Sequence, residues 1–285
     1  MGEVRVGISG WRYAPWRGVF YPPGLPRRRE LEYVASRLDT VEVNGSFYAL
    51  QRPESYRAWA AQTPDDFVLA VKGPRYVTHM LQLRGVEQAL ANFFASGVLA
   101  LGPKLGPVLW QLPPRLRFDP ERLDAFLALL PGTTTAAAEL ARGHDARLAG
   151  RALTVADADR PVRHTLEVRH ESFATPELVA LLRERGVGLV VADTAGRWPL
   201  VLEATSDVVH VRLHGDREHT WSKLARTAEA GSTSIEVLDA SGWRKGDEIV
   251  LASTDFDPRQ AEKRTIAAVS GNTITLDRPL EYMHF

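Results

Sequence analysis

The chain contains no cysteine. That removes disulfides, thiolate nucleophiles, Cys-ligated zinc and iron–sulfur clusters from consideration. It carries no net charge either, because 35 Lys+Arg balance 35 Asp+Glu, with 8 His besides. A neutral chain offers no bulk field to hold nucleic acid or an anionic membrane, although a local basic cleft stays open to it. No run of about 20 apolar residues is there to span a bilayer. The start, Met1-Gly2-Glu3-Val4-Arg5-Val6-Gly7-Ile8, lacks the basic opening and apolar stretch of a secretory signal. Val6 stands where a myristoylation signal needs Ser or Thr. These absences point to a cytoplasmic protein without a membrane partner. The composition that remains is 45% hydrophobic and 25% charged over 285 residues. That is ordinary globular material, enough for two domains of about 150 residues or one α/β barrel of about 250.

Strand-like and helix-like segments alternate over the first ~215 residues. Strands are expected at 4–9, 40–44, 67–72, 107–111, 165–168, 188–192 and 208–213. Helices are expected at 29–38, 54–62, 86–101, 119–130 and 175–185, with 139–148 as a further helical candidate. Pro53, Asp119-Pro120 and Thr175-Pro176 supply first-turn and capping signals. Strand, helix, strand in steady succession means a parallel sheet covered by helices, and about 30 residues per unit fits a TIM-barrel-like (β/α) barrel. No GxGxxG follows the first strand, so a dinucleotide fold has little support. After Gly215 the texture becomes an all-β meander, with short strands at 234–238, 248–252, 264–269 and 273–276 and turns at Gly246-Asp247 and Gly271-Asn272. No eighth strand–helix unit is recognisable. The expected division is 1–216 for the barrel and 217–285 for the β segment.

Each barrel-type strand ends in a polar residue of catalytic type. In chain order these are Glu42 and Asn44, Lys72, Gln111, Glu167 with Arg169 and His170, Asp193, and Arg212 with His214. The carboxyl ends of parallel barrel strands share one face, so residues far apart in sequence converge there. Charged groups inside apolar runs are costly unless paired, which favours a built site over chance. The expected pocket sets Glu42, Glu167 and Asp193 against Lys72, Arg169 and Arg212, with His79, His170 and His214 nearby. A structural ion network is the competing reading of the same residues. His144 and His164 are expected to be solvated. The aromatics after strand one, including Trp11 and Tyr13, can stack on a sugar or base or simply pack as a plug.

Together these residues resemble a known family. Gly7-Ile8-Ser9-Gly10-Trp11, Tyr13, Trp16 and Phe20-Tyr21-Pro22 are similar to the opening of the YecE-like proteins, the domain of unknown function 72 family. Thr40-Val41-Glu42-Val43-Asn44, Lys72 with Thr78-His79, Gln111-Leu112-Pro113-Pro114, Glu167-Val168-Arg169-His170, Ala192-Asp193 and Arg212-Leu213-His214-Gly215 continue the likeness in order to about residue 216. The resemblance implies a TIM-barrel-like fold and supplies no reaction. Residues ~219–285 instead resemble part of a G8 domain, through Ala230-Gly231-Ser232-Thr233-Ser234-Ile235, Trp243, Gly246-Asp247-Glu248-Ile249-Val250 and Gly271-Asn272-Thr273-Ile274-Thr275-Leu276. Both modules stop short at one seam, which fits either a fusion or a chimera.

The functional expectation is an enzyme with a strand-end pocket for a small anionic or sugar-phosphate-like substrate, working by hydrolase- or isomerase-type acid/base chemistry. Glu42, Glu167, Asp193 and His214 are the catalytic candidates. Lys72, Arg169, Arg212, His79, His170, Gln111, Asn44, Trp11 and Tyr13 are the substrate-binding candidates. By fold analogy Glu42, Glu167, Asp193 and His214 could also form an oxygen/nitrogen site for a divalent metal. The neighbouring cations oppose that and favour an anion. The alternatives are a metal-dependent, endonuclease-like barrel acting on nucleic acid and a non-catalytic carbohydrate-binding or structural module built on the β tail.

Overall fold

The computed structural model describes residues 2–194, 197–213, 222–252 and 260–285. Two compact units are present, Met1–Leu213 and His214–Phe285. The first unit holds seven parallel strands paired in chain order: β1 Gly7–Ser9, β2 Thr40–Val43, β3 Val68–Lys72, β4 Leu105–Gln111, β5 His164–Glu167, β6 Gly188–Asp193 and β7 His210–Leu213. The sheet is curled. Arg212 on β7 donates a hydrogen bond to the carboxylate of Glu42 on β2, at the other end of the strand order.

Between the strands lie α1 Glu30–Ala35, α2 Gly45–Tyr48, α3 Pro53–Ala61, α4 Glu87–Ala95, α5 Pro120–Ala128, α6 Thr134–Arg142 and α7 Pro176–Glu184. Their starts are chemically marked. Asp119 accepts the amide of Arg122 at the head of α5, Thr133 that of Ala136 at α6, and Thr175 that of Leu178 at α7, while Pro follows the cap in α5 and α7. The helix expected over 86–101 is broken at Gly97, whose φ of 117° sends the chain into a 3-10 segment, Val98–Lys104. A side chain at Gly97 would also meet the Pro53 Cα at 2.5 Å. The candidate helix at 139–148 lies earlier, over α6, because the Thr133 hydroxyl nucleates it.

Strand alternation sorts the side chains. Trp110 is fully buried and points into the helical layer, against Phe93, Phe126 and His164. Its neighbours Leu109 and Gln111 face the inside of the curl, where Leu109 packs with Val190 and Ala192. His164 corrects the expectation of a solvated histidine. It is 5% exposed, accepts from the Trp110 indole at 3.1 Å and contacts the Pro131 carbonyl at 2.9 Å.

The second unit is a four-stranded antiparallel sheet. Its strands are β8 Ser234–Glu236, β9 Glu248–Leu251, β10 Glu262–Ser270 and β11 Thr273–Leu276, in the order β8-β11-β10-β9. Ile235, Val237, Leu251, Ile266, Ile274 and Leu276 form its core. Buried Glu262 accepts from Arg264, from His284 Nε2 at 2.9 Å and from the amides of Glu281 and Tyr282. No helix among the described residues is long and apolar enough to cross a membrane.

Candidate functional site

The inner face at the carboxyl ends of the strands is built by register. Ser9 is level with Glu42, Gln111 with Glu167, and Ala192 with Arg212. Lys72 ends β3, two residues beyond Ala70, which is level with Glu42. Ser9, Glu42, Lys72, Gln111, Glu167 and Arg212 thus stand at or near the carboxyl ends of their strands, so the chemistry collects at one rim.

Arg212 ties the rim together. Its Nη2 donates to Glu42 Oε1 at 3.0 Å and to Ser9 Oγ at 3.3 Å, and its Nη1 donates to Glu167 Oε2. Glu167, fully buried, also accepts from Arg169 Nε at 2.7 Å. The Ser9 hydroxyl donates to Glu42 at 3.1 Å and accepts from Asn44 Nδ2 at 2.8 Å. Tyr13 donates its hydroxyl to the Ser9 carbonyl, and its pKa is raised, first by burial and then by the charge of Glu42. Two buried carboxylates therefore share two arginines, the arrangement that makes their burial tolerable.

Lys72 is the cation left over. It is 8% exposed, and its ammonium lies 4.4 Å from the centroid of the Phe47 ring. Among the described residues it has neither a hydrogen-bond acceptor for Nζ nor a carboxylate within ion-pair distance. Burial pushes its pKa down from 10.5 to about 8, against the opposing charges of Glu42 and Glu167 and with the help of Arg212 and Arg169. On the same inner face Gln111 is 4% exposed and its Oε1 has no hydrogen-bond partner among the described residues. Among the described residues Glu42 and Glu167 face Lys72, Arg169 and Arg212, and of these three cations Lys72 is the one without a carboxylate in ion-pair distance.

His79 stands edge-on to Phe47, 5.1 Å between centroids, with Nδ1 2.8 Å from the Thr78 hydroxyl. Its pKa falls to about 4 through burial first, then through the charges of Arg169, Lys72, Arg75 and Arg115. It is a neutral imidazole at pH 7 in a positive field. Arg169 also lies 5.7 Å from the centre of the Trp198 ring.

The structure thus brings together Glu42, Asn44, Lys72, His79, Gln111, Glu167, Arg169, Arg212 and Tyr13. Others stand apart. Asp193 is exposed at the tip of β6, because Ala192 takes the inward position and alternation turns the next residue away. His170 caps the short helix Glu171–Phe173, with Nδ1 against the Ser172 hydroxyl at 2.9 Å and accepting its amide at 3.1 Å. Trp11 is buried edge-on against Trp59, 5.5 Å between centroids, as a packing residue. His214 lies outside the described residues. Sequence reasoning missed Ser9, the hydroxyl between Glu42 and Arg212, and His210, two residues before Arg212 on the same face. Burial lowers the pKa of His210, and its Nδ1 is 3.2 Å from the Thr165 hydroxyl. The period of two along β7 carries the signal that would have found it.

Among the described residues no group of three or more His, Asp or Glu side chains is arranged to hold a metal ion. The carboxylates of Glu42 and Glu167 are already bridged by the Arg212 guanidinium. A separate cavity of about 740 Å³, lined in part by Gln82, Arg115, Phe118, Arg122 and Glu177, contains none of the rim residues.

The chain is 26% identical to a DUF72 family protein of Thermotoga maritima of known structure, with a TM-score of 0.56 and 75% of each chain covered. It is 32% identical over 132 residues to the UPF0759 protein YecE of Escherichia coli, 45% of this chain and 45% of that protein. Fibrocystin-L of Mus musculus is 50% identical over 68 residues, 22% of this chain and 2% of that protein. A G8 domain-containing protein of Dictyostelium discoideum is 35% identical over 79 residues, 26% of this chain and 7% of that protein. The chain therefore spans less than half the length of these curated relatives. The model of the family described as "Protein of unknown function DUF72" matches residues 5–260, across most of the first unit and into the second. On that match, the chain belongs to the DUF72 family.

Proposed function

We propose that the strand-end rim binds a small anion, a phosphate- or carboxylate-bearing substrate, and that the protein is an enzyme performing acid/base chemistry on it. The observation that carries this reading is Lys72, a buried cation without a carboxylate partner beside two carboxylates that arginines already satisfy. A buried charge without a partner is costly, and a ligand anion would remove that cost. Gln111, with its unpartnered Oε1, would hold a hydroxyl or amide of the same ligand. Glu42 and Glu167 position Arg212 and Arg169, and Lys72, with a pKa of about 8, is the group able to take or give a proton near neutral pH.

The first unit is read as a (β/α) barrel short of its eighth unit, occupying 1–216, and 217–285 as part of a G8-type β module in a cytoplasmic protein. The test is titration calorimetry with inorganic phosphate. Binding should weaken at least roughly tenfold in Lys72→Met, the loss expected for one buried charge-assisted contact. Arg142→Gln, a change at an exposed helix position, should leave it unaltered. Equal binding by the Lys72→Met protein would remove the reading. A second reading, a phosphodiester, is favoured by the four cations around His79. It requires that a short single-stranded oligonucleotide bind with steep salt dependence where inorganic phosphate does not.

A further inference from the structure

The rim holds three cations, but they are not equivalent. Arg169 and Arg212 are committed to Glu167 and Glu42 and stay charged at any physiological pH. Lys72 is the one cation there that can become a neutral amine. Lysine is scarce in this chain, only five of the 35 basic residues, namely Lys72, Lys104, Lys223, Lys245 and Lys263. The first unit holds just two of them. Lys104 is fully engaged, donating to the Ala60 carbonyl at 2.7 Å and the Thr63 carbonyl at 2.6 Å. Lys72 makes no such bonds. It stands on a strand end over an aromatic ring, with an orphaned amide oxygen on the same face. The arginines draw both carboxylates away from it, so no ion pair pins the ammonium.

We propose that the Lys72 amine is a nucleophile that forms a Schiff base with a small carbonyl compound bearing an anionic group. This rests on the anion-binding reading and names the substrate class. In the step, Nζ forms a bond to the carbonyl carbon while the C=O π pair moves to oxygen. The nitrogen passes one proton to that oxygen, which takes a second from the medium and leaves as water. An iminium, C=N⁺, remains. Protonated Lys72 draws the substrate's anionic group to the rim, the iminium restores that positive charge beside it, and burial keeps a larger share of Lys72 in the nucleophilic neutral form than on an exposed lysine. Glu42, Glu167, Arg169 and Arg212 are the charged groups whose fields reach Nζ.

The experiment incubates the full chain separately with glyoxylate, glycolaldehyde phosphate and propanal, each with sodium borohydride. Hydride reduces any iminium to a stable secondary amine, which is located by peptide mass mapping. Glyoxylate or glycolaldehyde phosphate should label Lys72 at least roughly tenfold faster than Lys263, an exposed lysine whose ammonium is paired with Glu248 at 2.7 Å. The faster of the two anionic probes tells a carboxylate from a phosphate site. Inorganic phosphate should slow both, and Lys72→Arg should abolish that adduct while still binding phosphate. Labels on the other four lysines with none on Lys72 would overturn the proposal, and the wild-type map decides this even if the variant fails to fold. Phosphate binding without Lys72 labelling would overturn the Schiff base and leave the anion reading standing. Labelling of Lys72 by propanal as fast as by glyoxylate, unprotected by phosphate, would overturn the anionic part of the proposal together with the anion reading.

Discussion

Removing the Arg212 guanidinium strikes the bridge that holds the rim. In Arg212→Met the methylene volume is largely kept and the charge is lost. Glu42, 6% exposed, would retain only the Ser9 hydroxyl at 3.1 Å, whereas fully buried Glu167 would keep Arg169 at 2.7 Å. Breaking a buried pair by removing one partner costs about 3–5 kcal/mol, because it strands the other charge. The surviving Arg169 contact places this case near the lower end, about 3 kcal/mol. For a unit of this size that corresponds to a fall in melting temperature of roughly 6–12 °C. Urea and thermal unfolding of the full chain, followed by tryptophan fluorescence, measure it. The deficit should be largest at neutral pH and shrink in acid, because protonation removes the charge that the guanidinium had balanced. Adding Glu42→Gln to the variant should recover about 1–2 kcal/mol, since an amide no longer needs the guanidinium. A loss below about 1 kcal/mol, independent of pH and unchanged by Glu42→Gln, would show an exposed, screened bridge and refute the buried-network argument.

Three further outcomes follow from the same reasoning. Lys72→Met should stabilise the protein by about 2–3 kcal/mol at neutral pH, because a cation disfavoured by burial is gone. The folded pKa of about 8 lies below the unfolded 10.5, so the wild-type penalty is complete below pH 8 and is relieved as pH rises to 10.5. Urea midpoints across that range should converge. His164, held at about 4 against an ordinary 6.5 by burial, favours the folded state when neutral, so its contribution is present above pH 6.5 and is lost as pH falls toward 4. His164→Gln should flatten the acid slope of stability in that window. Gly73→Ala should cost about 1–3 kcal/mol in thermal unfolding, because its Cβ would overlap the buried Trp110 ring.

Much of the fold was legible because the seven parallel strands are short apolar runs separated by helices with marked starts. The strand ends at Glu42, Lys72, Gln111, Glu167 and Arg212 could be read as one face because parallel connectivity leaves no other choice. Asp193 escaped that logic. Its neighbour Ala192 occupies the inward position, and a charged residue at a strand end looks the same in sequence whichever way it points. His170 was legible as polar but not as a cap, since its role depends on the turn into Glu171–Phe173. His164 looked solvated because a single histidine in an apolar run gives no sign that an indole and a carbonyl await it. Ser9 was hidden by its size, although its hydroxyl meets Glu42, Asn44 and Arg212 together. The choice between paired and unpaired cations could not be read at all. It depends on which arginine reaches which carboxylate across 170 residues of chain.

The central claim is that Lys72 is a buried amine left uncompensated until an anion arrives. The most direct measurement is the titration of its side chain by NMR, with ¹³C-labelled lysine and assignment by Lys72→Arg. The account expects a midpoint near 8 in the free protein and an upward displacement in the presence of inorganic phosphate. A midpoint near the ordinary 10.5, unmoved by phosphate, would contradict it.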